Sequence, residues 1–152
     1  MKFLISFLSL ILVLVFLGGC SGTASINDNP PDYIKDLVIY REGYDAVVIY
    51  FVLADENGQE TTADGSLNLK ITLKGFPGEG QILVKEFSGN FKKEDFALAK
   101  VGSGAYERER IIYNFGRFKY SHRYDPSWQF PWTVSLTVKT GGKILRAEEK
   151  FF

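Results

Sequence analysis

Ser66-Leu67-Asn68-Leu69-Lys70-Ile71-Thr72-Leu73-Lys74 alternates without a fault. Leu67, Leu69, Ile71 and Leu73 fall on one side, and Asn68, Lys70, Thr72 and Lys74 on the other. Successive side chains of a strand point to opposite faces. The stretch is therefore a strand with one face in a core and one in water. Upstream, Ala46–Leu53 is wholly apolar and dominated by Val, Ile, Tyr and Phe. Its length and its flanking turn residues predict a central strand covered on both faces. A buried helix is the competing reading, and the β-branched and aromatic content opposes it.

Working outward, the same two signals recur. Leu37-Val38-Ile39-Tyr40 is a short β-rich run that ends near Gly43. Asp55-Glu56-Asn57-Gly58 is a turn, Gln59–Ala63 a short polar strand, and Asp64-Gly65 reads as a two-residue hairpin reversal. Gly75–Gly80 is a loop by composition. Gln81–Ser88 is a strand whose inward face is undecided between Ile82 with Val84 and Leu83 with Phe87. Lys92–Phe96 suits one helical turn with Phe96 and Leu98 tucked inward. Tyr106–Phe115 is a further strand, and Gly116–Pro131 reads as a long irregular segment. Trp132–Lys139 alternates again, Gly141-Gly142 turns the chain, and Leu145, Ala147 and Phe151 point inward on the last strand.

Seven or eight short strands with frequent turn signals and no long helical period specify an all-β domain over residues 33–152. The pattern resembles immunoglobulin-like and fibronectin-type-III sandwiches, which implies a single β-sandwich of antiparallel strands. The paired cysteines of antibody domains are absent, because Cys20 is the only cysteine among 152 residues. No disulfide can form within the chain, so packing alone must hold the fold. A small barrel is the other architecture this pattern allows.

Composition excludes several functions. Eighteen basic residues balance eighteen acidic ones, and without Lys2 the count is 17 against 18. Nucleic-acid binding needs a concentrated positive field, which such a chain lacks. One histidine and one cysteine cannot assemble a zinc site. No nucleophile elbow, phosphate loop or metal spacing occurs. The expectation is no enzyme, no cofactor and no metal.

The N-terminus carries an address. Lys2 precedes an apolar run from Phe3 to Leu17, which stops at Leu17-Gly18-Gly19-Cys20. Fifteen residues suit a signal-peptide core and fall short of the roughly 20 needed to span a bilayer. An uncleaved anchor and a plain secretory signal are the competing readings. The stretch resembles the signal peptide and lipobox of bacterial lipoproteins. That resemblance implies cleavage after residue 19, acyl chains on Cys20, and a lipid-anchored location at the cell membrane or outer membrane. Residues 20–32 then read as the lipidated cysteine and a flexible linker, with Pro30-Pro31 stiffening its far end.

Tyr120, His122, Arg123, Tyr124 and Trp128 form the candidate binding surface. Exposed Tyr and Trp rings offer flat apolar area to sugars or partner side chains, and Arg offers polar grip. The opposing reading is that these rings plug one end of the sandwich. Asp55, Asn57, Glu60 and Asp64 could offer oxygens to calcium, though turn formation alone explains them. Glu107-Arg108-Glu109-Arg110 reads as a wet strand face with cross-strand ion pairs, or as a recognition stripe. His122 beside Ser121 is not a catalytic geometry, since strand neighbours point to opposite faces. The chain is thus expected to be a membrane-anchored binding module, partnered by another envelope protein or a glycan. The alternative is a structural or accessory subunit of an envelope complex.

Overall fold

The computed structural model describes residues 27–74, 80–120 and 131–151. The signal stretch 1–19, Cys20, the linker up to residue 26, the loop residues 75–79 and residue 152 lie outside the described residues. Nine strands are described: β1 (Tyr33–Arg41), β2 (Ala46–Ala54), β3 (Glu60–Thr61), β4 (Gly65–Lys74), β5 (Gln81–Phe91), β6 (Phe96–Val101), β7 (Arg108–Lys119), β8 (Trp132–Thr140) and β9 (Lys143–Phe151). They form two antiparallel sheets. One has the order β1-β2-β7-β6, with β3 also on β2, and the other the order β5-β4-β8-β9. This matches the immunoglobulin-like arrangement of ABED against CFG, with one strand added beside C. The expected seven or eight strands include Gln59–Ala63, which forms the two-residue β3; the strand they lack is β6, Phe96–Val101, which follows a single helical turn at Lys93–Asp95.

Both strands that pointed to the fold behave as their patterns require. Every residue of β2 is buried, and β2 lies between β1 and β7. In β4, Leu67, Leu69, Ile71 and Leu73 are buried, while Lys70 and Lys74 are exposed. The core joins these to Val134, Leu136 and Val138 of β8 and to Val47, Ile49, Phe51 and Leu53 of β2. Gly141 and Gly142 turn the β8–β9 hairpin with φ of 53° and 79°, the positive pair that a two-residue type I′ turn demands.

Tertiary context overrides the sequence at several points. Asp64-Gly65 is not a hairpin: β3 pairs with β2 in one sheet, and β4 pairs with β5 and β8 in the other. The chain crosses between layers there, and Thr140 Oγ1 donates to the Asp64 carbonyl at 2.8 Å. Gly65 is required by space, since an added Cβ would sit 2.3 Å from the Lys139 carbonyl oxygen and 2.9 Å from the Phe91 ring. The undecided face of β5 is settled by a bulge. Ile71 pairs with Lys85 but Thr72 with Leu83, leaving Val84 as the extra residue. The register slip lets Ile82, Val84 and Phe87 all pack on the core, while Leu83 stays 53% exposed. Phe96 is buried as expected, but Leu98 is half exposed, because β6 is the edge of its sheet.

Arg110 departs from the wet face expected of residues 107–110. Arg108 and Glu109 are exposed, but the Arg110 guanidinium bridges Asp36 of β1 and Glu60 of β3. Burial works against its charge, and the bonds to Asp36 and Glu60 outweigh burial and raise its pKa. The other oxygen of Glu60 accepts the backbone N–H of Ile111 at 2.8 Å. A carboxylate thus takes one backbone donor of β7 beside the short strand β3.

Two outcomes check this packing. Gly65→Ala should destabilise the domain by about 1–3 kcal/mol through overpacking, whereas Gly89→Ala, with open space around its Cβ, should be near neutral in the same denaturant titration. Arg110→Ala strands two carboxylates and should cost about 1–3 kcal/mol, with urea midpoints reporting the loss.

Candidate binding cleft

The candidate surface was placed on Tyr120, His122, Arg123, Tyr124 and Trp128. Of these, His122, Arg123, Tyr124 and Trp128 lie outside the described residues, as does Cys20. Tyr120 is half-buried. Its ring meets Trp132 edge-on, with centroids 5.0 Å apart and planes at 82°. Its backbone N–H donates to the Asp45 carbonyl at 2.9 Å. Tyr120 is thus tied to the β1–β2 turn and to the core.

The expected irregular segment 116–131 is in part strand, because β7 continues to Lys119. Gly116, with φ of 83°, marks a bulge: Ile49 pairs with Gly116 but Tyr50 with Asn114. Phe115 is the extra residue. The slip brings Phe115 and Phe118 onto the core side and leaves Arg117 and Lys119 exposed. A glycine inside a strand pattern signals such a bulge, so this part was recoverable from sequence.

These side chains line a cleft of about 640 Å³ between β5 and the C-terminal half of β7. Ile71 and Trp132, each 1% exposed, lie at its base. Phe87 and Phe118 stack 4.4 Å apart at 44°, and Phe87 also meets Phe115 at 6.5 Å. Lys85, Arg117 and Lys119 complete the lining. The Lys85 ammonium sits 5.3 Å from the Phe87 ring centroid, within cation–π range. Arg117 pairs with Glu42 at 2.7 Å and Asp45 at 3.7 Å, and Lys119 with Asp45 at 4.0 Å. Among the described residues, three cations thus face two carboxylates, with one positive charge in excess. Exposed pairs of this kind are worth about 0–1 kcal/mol, so an incoming anion can exchange with them. The described lining residues include no carboxylate, thiol, imidazole or aliphatic hydroxyl. Such a wall can desolvate apolar groups and hold an anion. Sequence reasoning missed Lys85 and Phe87, because only the sheet packing brings β5 beside β7.

The four oxygen-bearing residues proposed for calcium do not converge. Asp55 Oδ1 accepts the backbone N–H groups of Asn57 and Gln59, each at 2.9 Å. Its Oδ2 accepts the side-chain amides of Asn27 at 2.7 Å and Asn29 at 2.9 Å. Glu60 serves Arg110 and Ile111, and Asp64 accepts the Lys93 N–H at 2.8 Å.

Asp55 instead docks the chain at Asn27 and Asn29. Residues 27–32 are not free: the Thr61 hydroxyl, 2.8 and 2.6 Å from the carbonyls of Asn27 and Asn29, shares its proton between them. Asp32 N–H donates to Ala54 O at 2.8 Å, and Pro31 is buried. Small polar composition suggests flexibility, but it also supplies the amides that a buried carboxylate needs.

The Asn29 amide, ahead of Gln59, Asn27 and Asn57, holds the Asp55 carboxyl below its ordinary value against the opposing effect of burial. A depressed carboxylate stabilises the fold above its unfolded pKa of about 3.9. That contribution is lost as pH falls through the lower folded value. Stability of the wild type should therefore fall as pH drops below about 4, and less steeply in Asp55→Asn, in urea titrations at stepped pH followed by tryptophan fluorescence.

No protein-family model matches the chain, and no curated protein matches it.

Proposed function

We propose that this protein is a lipid-anchored, non-catalytic binding module of a bacterial envelope. Cys20 carries the acyl chains, and the cleft between β5 and β7 receives a partner protein. The cleft is the observation that carries this reading. Its half-buried rings are tilted against one another rather than laid out flat. That suits apolar side chains of a protein better than the face of a sugar, which wants an exposed planar ring. The excess positive charge beside the rings favours acidic residues flanking that apolar segment. Signal length and the position of the sole cysteine support the anchor.

A second reading, an accessory subunit of an envelope complex, draws on the opposite face of the β1-β2-β7-β6 sheet. There Val38, Ala99 and Val101 surround Tyr50, Val52 and Ile112, and Tyr40 is 46% exposed with its ring edge-on to Tyr50.

Cys20→Ser should move the protein from the membrane fraction to the soluble fraction or leave it unprocessed. Unchanged processing and anchoring would refute the lipoprotein reading. A photo-crosslinker at position 119 in intact envelopes should trap a partner, and Lys85→Glu should abolish the adduct. An adduct indifferent to Lys85→Glu but lost in Tyr40→Lys would move the interface to the outer sheet face.

A further inference from the structure

The sandwich has two poles, and the N-terminal segment is fixed to one of them. Asn27 bridges to Thr61, which pairs with Leu53 near the end of β2. Lys119, on the cleft, pairs with Ala46 at the start of β2, and Tyr120 follows it. The two poles are thus separated by the seven steps from Ala46 to Leu53, about 23 Å at 3.3 Å per residue.

Chain length sets what this separation means. From Cys20 to Asn27 there are seven Cα steps, at most about 25 Å when fully drawn out. Laying the cleft on the bilayer would lift Asn27 to roughly the pole separation of 23 Å. The leash reaches that height only when almost fully drawn out. Were residues 27–31 released, twelve steps to Asp32 would give about 42 Å, and the inverted pose would become easy.

We infer that Asn27, Asn29, Asp55 and Thr61 form a clamp that shortens the membrane leash and keeps the cleft facing away from its own bilayer. The cleft's partner is therefore a protein surface reached outward from the membrane, not the lipid headgroups beside the anchor. This rests on lipidation of Cys20 for the orientation, but not for the clamp.

The test uses the mature protein purified from membranes. Hydrogen exchange at Asn57 and Gln59, whose N–H groups bond Asp55, should quicken roughly ten-fold in an Asn27→Ala/Asn29→Ala variant if the clamp holds the turn. That variant keeps the Asp55 acceptor, and Thr61→Val, which loses the bonds to the Asn27 and Asn29 carbonyls, serves as a second. Unchanged exchange in both overturns the clamp. For orientation, the acylated Cys20 leaves an introduced thiol as the sole labelling site. Donors at Glu56→Cys, in the Asp55–Gly58 turn, and at Tyr44→Cys, 93% exposed in the β1–β2 turn, are compared in vesicles with headgroup acceptors. Energy transfer should be at least roughly twice as high from position 56 as from 44, and releasing the clamp should raise it at 44. Equal transfer from both sites overturns the orientation. The mass of the mature N-terminus separates the two failures. An unacylated Cys20 sinks the anchor and the orientation together, while exchange still decides the clamp.

Discussion

Phe51 is where the two sheets grip each other. Its ring is fully buried and touches Phe91 of β5, Phe96 of β6, and Tyr113 and Phe115 of β7, with centroids between 5.2 and 6.3 Å. Aromatic pairs in such tilted and edge-on contacts add about 0.5–1.5 kcal/mol each beyond area burial. A domain of this size has a net stability of about 5–15 kcal/mol. With a single cysteine in the chain, no intramolecular disulfide can replace that contact. The fold therefore depends on β2 being apolar along its whole length.

The same dependence explains the bulges of β5 and β7. A strand alternates its faces strictly, so consecutive large apolar residues cannot all point inward unless the register slips. Val84 in β5 and Phe115 in β7 are those slips. Each turns additional rings toward the interior at the same end of the sandwich, and their side chains meet across the layers as Phe87, Phe115 and Phe118. The cleft is the unfilled remainder of this packing. Its cations, Lys85, Arg117 and Lys119, belong to the same two strands, so apolar and charged elements of the site share one structural cause.

Polar residues organise the other pole. Asp55 gathers four N–H donors, and Thr61, fully buried, faces the carbonyls of the arriving chain. A buried carboxylate is tolerated only when its oxygens are satisfied. Satisfaction here requires residues 27 and 29 to dock. Polar satisfaction of Asp55 and Thr61 thus docks residues 27 and 29 on this pole.

The amino-acid sequence by itself determined the all-β class, the doubly covered β2, the half-buried β4 and β8 and the β8–β9 turn. Local periodicity and turn chemistry suffice for those. It also marked the aromatic and cationic richness after Phe115, but it ended β7 too early and left β5 without a face. Tertiary structure alone decided that Asp64-Gly65 passes between layers, that Arg110 bridges β1 and β3, that Lys85 joins Arg117 and Lys119, and that Asn27 and Asn29 close on Asp55. Each of these joins residues distant in the chain, from 26 positions apart for Asn29 and Asp55 to 74 for Asp36 and Arg110. No local pattern encodes such pairs, because they exist only once strands distant in the chain lie side by side or pack across the layers.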